Sequence, residues 1–397
     1  MKIKGNYIFE GEMNVSGCVD EALAVIAASV LSDGNIEIRN IPDVPSVREM
    51  IEFLKGFRNV RLDGDVFYSK GGNLDGEIRY KPVGTGILFL GPLAIRTGHS
   101  RISYNPGSSI GPRPIDIHIE GLKQLGIDVK EEGDFIDATF RKAPKEAKIE
   151  MRFPSIRETE HLMMTSVLLK GTTVEISNCA RESEVVDLAR FLKSMGAKIS
   201  GIGKEKMIVK GVGILGNTSY SVIGDIVETG TYMIGALTTK GTLKINGIGD
   251  EINNVVNFLK KIGSKIEILQ RSVVVYPSDV KDFRVMTGSY PEFPTNLQSQ
   301  IMLLGCYADS LSQIIEIGDG VRPNYIKALK QMGADIDVDG NQVIVRPSKL
   351  HGTSLNLKGG TEEKIALLLA ARIADGESEI EGIERVFEKH SLSFLRN

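Results

Sequence analysis

Two hydrophobic patterns alternate along this chain. Runs such as Ala22 to Val30 and Ile365 to Ala371 are apolar almost without a break, which predicts an apolar helix too short to span a bilayer. The second pattern is L-K-Q-L-G-I-D-V at 122–129, and it recurs as L-K-S-M-G-A-K-I at 192–199, L-K-K-I-G-S-K-I at 259–266 and L-K-Q-M-G-A-D-I at 329–336. Each copy has apolar positions at helical spacing, a lysine in the last turn, a glycine at the C-terminal cap and then an alternating strand.

Taken together the two patterns define six copies of one plan: apolar helix, turn, Ile/Val-rich strand, loop, second helix ending near glycine, then one or two further strands. The turns after the apolar helices fall at Gly34, Gly98, Gly171, Gly241, Ser310 and Gly376, spaced by 64, 73, 70, 69 and 66 residues. The sixth copy is incomplete, whereas Lys2 to Ser16 reads as two short strands with no helix before them. We therefore expect the N-terminal strands to complete copy six. That gives one domain of residues 1–16 plus 223–397 and a second of 17–222, with crossings near Ser16 and Gly224. The default ligand site would lie between them.

Composition narrows the class without naming it. A chain of 397 residues, 42% apolar and 25% charged, is long enough for two packed domains. The formal charge, 48 − 51 = −3, argues against a nucleic-acid partner. Cys18, Cys179 and Cys306 form no CxxC pair and the five histidines show no metal-ligand spacing, so no disulfide framework, metal or cofactor is expected. Neither a signal peptide nor a membrane span is read, and a cytoplasmic setting is expected. Oligomeric state is left open.

Candidate chemistry concentrates in N-P-G-S-S-I-G-P-R-P-I-D-I-H at 105–118. Glycine and proline there dictate an ordered loop that runs into a helix ending at Gly126. Arg113 and Asp116 then sit at a helix start, a common place to bind an anion; a plain turn with a surface arginine is the other reading.

The six-copy plan, together with L-G-P-L-A-I-R-T-G (90–98), I-G-P-R-P-I-D-I-H-I-E-G-L (110–122), A-R-E-S-E-V-V-D-L-A-R-F-L (180–192), D-I-V-E-T-G-T-Y (225–232), Y-P-E-F-P-T-N-L-Q-S-Q (290–300) and V-R-P-N-Y-I-K-A-L-K-Q-M-G-A (321–334), resembles the enolpyruvyl transferases. The likeness is greatest to the UDP-N-acetylglucosamine 1-carboxyvinyltransferase branch, which begins peptidoglycan precursor synthesis. The resemblance implies an α/β (α+β) fold: a two-domain inside-out α/β barrel built from six βαβαββ-type repeats, with the active site in the interdomain cleft. It also implies transfer of the enolpyruvyl group of phosphoenolpyruvate to a nucleotide-sugar hydroxyl. Arg113 matches an arginine that contacts donor phosphate, Arg322 one that contacts donor carboxylate, and Arg113, Pro114, Ile115, Asp116, Ile117 and Ser155 match the uridine-binding positions. Asp225 and Glu228 match as well, though a structural role is the better expectation for them.

Several positions depart from the family pattern. In S-G-C-V-D-E-A-L (16–23), Val19 stands where a phosphate-binding lysine belongs and Asp20 where an asparagine belongs. Gly84 replaces an arginine, Ser108 the loop cysteine, Asn296 the aspartate of F-P-T-D, Phe153 a pocket lysine and Arg157 a glycine. A late arginine aligns with Lys358, or with Glu362 if no gap is allowed. Losing two charge-assisted contacts of roughly 1.5–3 kcal/mol each weakens donor binding by something like two to four powers of ten. Ser108, Asn296 and Asp20 are thus the candidate catalytic positions, all substituted. Three readings remain: a transferase with a rearranged donor site using Asp20 or Arg157, an inactive relative that binds a nucleotide sugar or a protein partner, and a 5-enolpyruvylshikimate-3-phosphate synthase-like enzyme. The last lacks the S-G-S-K-S opening and a late H-x-D-H-R segment.

Overall fold

The computed structural model describes residues 1–72, 74, 77–78, 86–103, 107–108, 111–112, 115–249, 252–318, 320–383 and 386, with backbone alone at 77–78, 107–108 and 111–112. The chain divides into two compact units, Met1–Gly17 with Ile223–Asn397 (the flanking unit) and Cys18–Val222 (the inserted unit).

The described helices are α1 (Val19–Ala28), α2 (Pro45–Lys55), α3 (Leu90–Thr97), α4 (Asp116–Gln124), α5 (Ile156–Val167), α6 (Ser183–Ser194), α7 (Ile226–Thr239), α8 (Asn253–Lys261), α9 (Gln298–Gly305), α10 (Pro323–Gln331) and α11 (Thr361–Ile373). None is long and apolar enough to cross a membrane. They sort by pattern. The apolar helices α1, α3 and α5 pack inside the inserted unit and α7, α9 and α11 inside the flanking unit, with every residue of α9 buried. The amphipathic ones bury one face only: Val255, Val256 and Leu259 in α8, for example. A helix that is apolar all round has nowhere to go but the interior.

Outside the helices, the described residues form six separate sheets of three to five strands and one two-stranded ribbon. The strand after each apolar helix is central, and strands such as Glu377–Glu381 alternate exposed and buried residues as a one-face-packed sheet requires. The last strand of a repeat pairs in parallel with the central strand of the next: Glu146–Glu150 with Thr173–Ser177, Arg284–Gly288 with Ser312–Glu316, and Ser354–Asn356 with Glu377–Glu381. In the inserted unit Thr218–Ser221 returns to Ile36–Arg39 and closes the set. The N-terminal strands do the corresponding work in the flanking unit. Lys2–Lys4 lies antiparallel to Glu377–Glu381, with Ile3 opposite Ser378, and Gly11–Asn14 lies parallel to Leu243–Asn246.

The glycine ending each repeated amphipathic helix is a conformational necessity. Gly126, Gly196, Gly263 and Gly333 have φ of +82°, +103°, +97° and +100°, where a Cβ is strained. At Gly196 no atom lies within 4 Å of an added Cβ, so an alanine there tests backbone strain alone. Gly196→Ala is expected to lower stability by about 1–2 kcal/mol, read from the urea midpoint at unchanged slope.

Candidate functional site

In the inserted unit the site-bearing segments are the first turns of α1 and α5 and the start of α4. Arg157, in the first turn of α5, donates from Nη2 to the Asp20 carboxylate of α1, and Nη1 lies 3.1 Å from Oε2 of Glu160. Asp20 is exposed, whereas Glu160 is fully buried and its Oε1 meets no donor among the described residues. Burial therefore pushes the Glu160 carboxyl up to about 7; Arg157 pulls it down and is outweighed, with Glu184 and Asp20 adding to the rise. Glu184, itself buried, is raised by desolvation as well. Two carboxylates thus pair with one guanidinium, and the charge of a third, Glu184, also acts on it. Glu21 is also fully buried, and neither of its carboxylate oxygens meets a donor among the described residues.

Asp116 opens α4 and is held by two neighbours. Its Oδ1 accepts the Ile117 N–H at 3.0 Å and its Oδ2 pairs with Arg152, which holds the carboxyl below its usual range. Ile115 and Ile117 flank it with side chains packed in the core, so only their main chain is open to a ligand. Ser155 precedes α5 and makes no side-chain cap. Phe153 is about half exposed two residues before it.

Beneath this surface runs a buried polar chain that joins three helices. The Gly91 N–H of α3 donates to Nε2 of His161 in α5 (3.1 Å), the two Nδ1 atoms of His161 and His118 are 2.9 Å apart, and Nε2 of His118 faces Oε1 of Glu158 at 3.6 Å. A main-chain N–H can only donate. His161 is therefore neutral with its proton on Nδ1, and His118 carries its proton on Nε2. Gly91 is glycine for a packing reason: a Cβ there would stand 2.3 Å from Thr165 Oγ1, which would part α3 from α5.

In the flanking unit, Asn296 lies exposed in the single 3₁₀ turn Thr295–Leu297 that precedes α9. Arg322 is half-buried at the N-cap of α10, and the Asn324 amide of that helix donates to the Lys358 carbonyl at 2.6 Å. Lys358 is exposed. Asp225 and Glu228 are occupied locally. Asp225 caps α7 by accepting from the N–H groups of Val227 and Glu228, and the Glu228 carboxylate accepts from Ser16 N–H at 2.9 Å and the Tyr232 hydroxyl at 2.6 Å. Met163 and Met164 are fully buried core, and the R-E-S-E stretch starts α6.

Of the residues expected from sequence, Asp20, Asp116 and Ser155 fall in the inserted unit, and Asn296, Arg322 and Lys358 in the flanking unit. Gly84, Arg113, Pro114 and the Ser108 side chain lie outside the described residues. Sequence reasoning passed over Glu160, His161 and Glu316: each is a single residue inside an apolar helix or strand, the ring partners of His161 are 43 and 70 positions away, and the side-chain partners of Glu316 are 18 to 29 positions away, while the burial of Glu160 leaves no mark in the sequence.

The wider comparisons agree with this architecture. A family model described as EPSP synthase (3-phosphoshikimate 1-carboxyvinyltransferase) matches residues 3–317. The UDP-N-acetylglucosamine 1-carboxyvinyltransferase of Thermotoga petrophila is 36% identical over 395 residues, covering 97% of this chain and 93% of its own length. That of Halothermothrix orenii is 35% identical over 395 residues, with 97% and 94% covered. Among solved structures, the enolpyruvyl transferase NikO from Streptomyces tendae superposes with a TM-score of 0.84 at 18% identity, covering 98% of this chain and 94% of that one. EPSP synthase from Acinetobacter baumannii gives 0.81 at 15%, covering 100% and 97%. At such low identity the superpositions speak for the fold, the inside-out α/β arrangement of helices within and sheets without. The sequence likeness goes further, since it runs nearly end to end: this chain belongs to the enolpyruvyl transferase family.

Proposed function

We propose that the chain binds a uridine-diphosphate sugar, in the manner that the name of its UDP-N-acetylglucosamine 1-carboxyvinyltransferase relatives describes, and that its donor side does not sustain ordinary turnover of phosphoenolpyruvate. Arg113, Pro114, Asp116, Ser155 and the main chain of Ile115 and Ile117 would hold the nucleotide; Arg322 and Lys358 would face the donor. The domain assignment that accompanies this reading is 1–16 plus 223–397 and 17–222.

One observation carries it. The cation gained at Arg157 is spent on Asp20 and Glu160, beside a position, Val19, where the family has a lysine. An anion arriving there meets Asp20 and Glu184 as well as the guanidinium, so electrostatics oppose a multiply charged donor. Asn296 adds to this, because an amide accepts no proton.

Calorimetry and phosphate release test the proposal together. We expect UDP-N-acetylglucosamine to bind, Arg113→Ala to weaken that binding by tenfold or more, and no phosphate to be released from phosphoenolpyruvate across a panel of UDP-sugars. A second reading has its own support: Arg157 reaches Asp20 from another helix, so it could be the family's missing cation re-supplied from α5. That reading requires phosphate release from the unaltered chain and its loss in Arg157→Ala. Phosphate release by the unaltered chain would sink the first reading.

A further inference from the structure

Glu316 ends the strand Ser312–Glu316 with a carboxylate that is 2% exposed and bonded on both oxygens. Oε2 accepts from Thr287 Oγ1 at 2.7 Å, from Thr295 Oγ1 at 2.6 Å and from the Gln298 side-chain amide. Oε1 accepts from the Gly318 N–H at 2.8 Å. Its own main chain is fixed by Asn341, which donates its side-chain amide to the Glu316 carbonyl at 2.8 Å and accepts the Glu316 N–H at 2.9 Å.

Three of those donors, Thr295, Gln298 and Gly318, belong to the two segments that carry Asn296 and Arg322, and the fourth, Thr287, lies in the neighbouring strand Arg284–Gly288. Thr295 and Gln298 bracket Asn296 in its turn. Gly318 begins the loop that ends at Arg322, and the Gln298 amide also comes within 3.4 Å of the Gly320 carbonyl in that loop. A single buried charge is therefore the common anchor of both.

We propose that Glu316 is a positioning residue which sets the place of Asn296 and Arg322 relative to one another. Its bearing on a donor carboxylate at Arg322 rests on the functional reading above; its hold on the two segments does not. A proton relay from Thr295 to Glu316 is the competing role, and the carboxylate is poorly suited to it. Burial alone would raise its pKa, but the bonds from Thr295, Thr287, Gly318 and Gln298 outweigh burial and hold it below the usual range, and a weakly basic carboxylate takes up a proton reluctantly. Glutamine cannot replace it neutrally. Every partner is a donor, and an amide offers one acceptor oxygen where the carboxylate offers two.

The test is a double-variant cycle with phosphoenolpyruvate as the probe, titrated to high millimolar concentration and followed by NMR, on the full chain. Glu316→Gln is expected to weaken binding about tenfold in the unaltered background and not at all in Arg322→Ala, because its effect passes through Arg322. Hydrogen exchange in the absence of ligand should speed up about tenfold or more at 295–298 and at the Gly318 amide while α10 beyond its first turn keeps its rate. Equal weakening in both backgrounds, or unchanged exchange, overturns the proposal. If the unaltered chain does not respond to phosphoenolpyruvate, the donor reading of Arg322 fails and exchange alone decides the role of Glu316. Thr295→Val is the milder companion should Glu316→Gln not fold: exchange should quicken at 295–298 but not at Gly318, and Thr295→Ser should restore it. A relay would instead leave exchange at the Gly318 amide untouched by Glu316→Gln.

Discussion

Replacing Arg157 by alanine is expected to lower stability by about 3 kcal/mol at pH 8.5 and by distinctly less at pH 5.5. The estimate comes from removing one partner of a buried ion pair, which costs roughly 3–5 kcal/mol, taken at the low end because the Arg157 side chain is one-fifth exposed and Asp20 is largely in water. Glu160 decides the pH dependence. Fully buried, with Oε1 unpartnered among the described residues and its carboxyl already at about 7 beside the arginine, it rises further once that charge is gone. The folded chain then keeps a proton on Glu160 through neutral pH, while the unfolded chain releases it near the ordinary glutamate value. Stability consequently falls as pH rises from that ordinary value through the raised one. At pH 5.5 the variant holds a neutral acid and loses mainly a contact; at pH 8.5 it must bury a lone anion or take up a proton against the bulk. Urea denaturation at the two pH values measures this. Arg157→Ala/Glu160→Gln should recover most of the loss at pH 8.5, and an equal cost at both pH values would refute the role given to Glu160.

The same residue shows where sequence reasoning stops. The repeat plan was open to it because the signals are local: Lys193 and Gly196 mark a helix end whatever surrounds them, and an apolar run such as Ala22 to Val30 is buried in any soluble fold. The family followed from motifs of ten or so consecutive residues. Arg157 could be marked as a departure, since its place at the start of α5 is fixed by neighbours in sequence. What the departure means could not be read, because Asp20 is 137 positions away and Glu160 looks like any helix-surface glutamate until its burial is known. Gly91 gives the converse case. In the string L-G-P-L it carries no evident fold requirement, yet its missing side chain lets α3 approach α5 closely enough for its N–H to reach His161.

That contact leads to the second large effect, an acid sensitivity set in the core of the inserted unit. His118 and His161 are buried, and burial drives both below the ordinary histidine range, His118 to about 3, with Arg157 adding to the depression at His118 and its neighbour ring adding to it at His161. Asp116 opposes this at His118 and is outweighed. The hydrogen-bond order adds a geometric reason: a second proton on His161 Nε2 would confront the Gly91 N–H, and one on His118 Nδ1 would confront His161 Nδ1–H. The unfolded chain has no such restriction and protonates both near 6.5. It therefore binds more protons than the folded chain below about 6.5, down to about 3 for His118, and stability drops as pH falls through that window. His118 would contribute a loss of up to about 2.7 kcal/mol by pH 4.5, two pH units below its unfolded value at about 1.36 kcal/mol per unit, and His161 acts in the same direction. Raised acids act in the opposite sense over part of the same range: Glu160, Glu184 and Glu228, all buried, cost stability as pH rises above the ordinary glutamate value. The net curve of the unaltered chain is for that reason flatter above pH 4.5 than either set alone would make it. Comparison with His118→Gln/His161→Gln isolates the histidine part. The double variant should be less stable at pH 8, where it has lost the chain of bonds from Gly91 to Glu158, and the gap should close or reverse by pH 4.5 because its amides do not titrate. Chemical denaturation at half-unit steps of pH reads the difference directly, and a gap that stays constant from pH 8 to 4.5 would mean that the two rings take up protons in the folded chain as readily as in water.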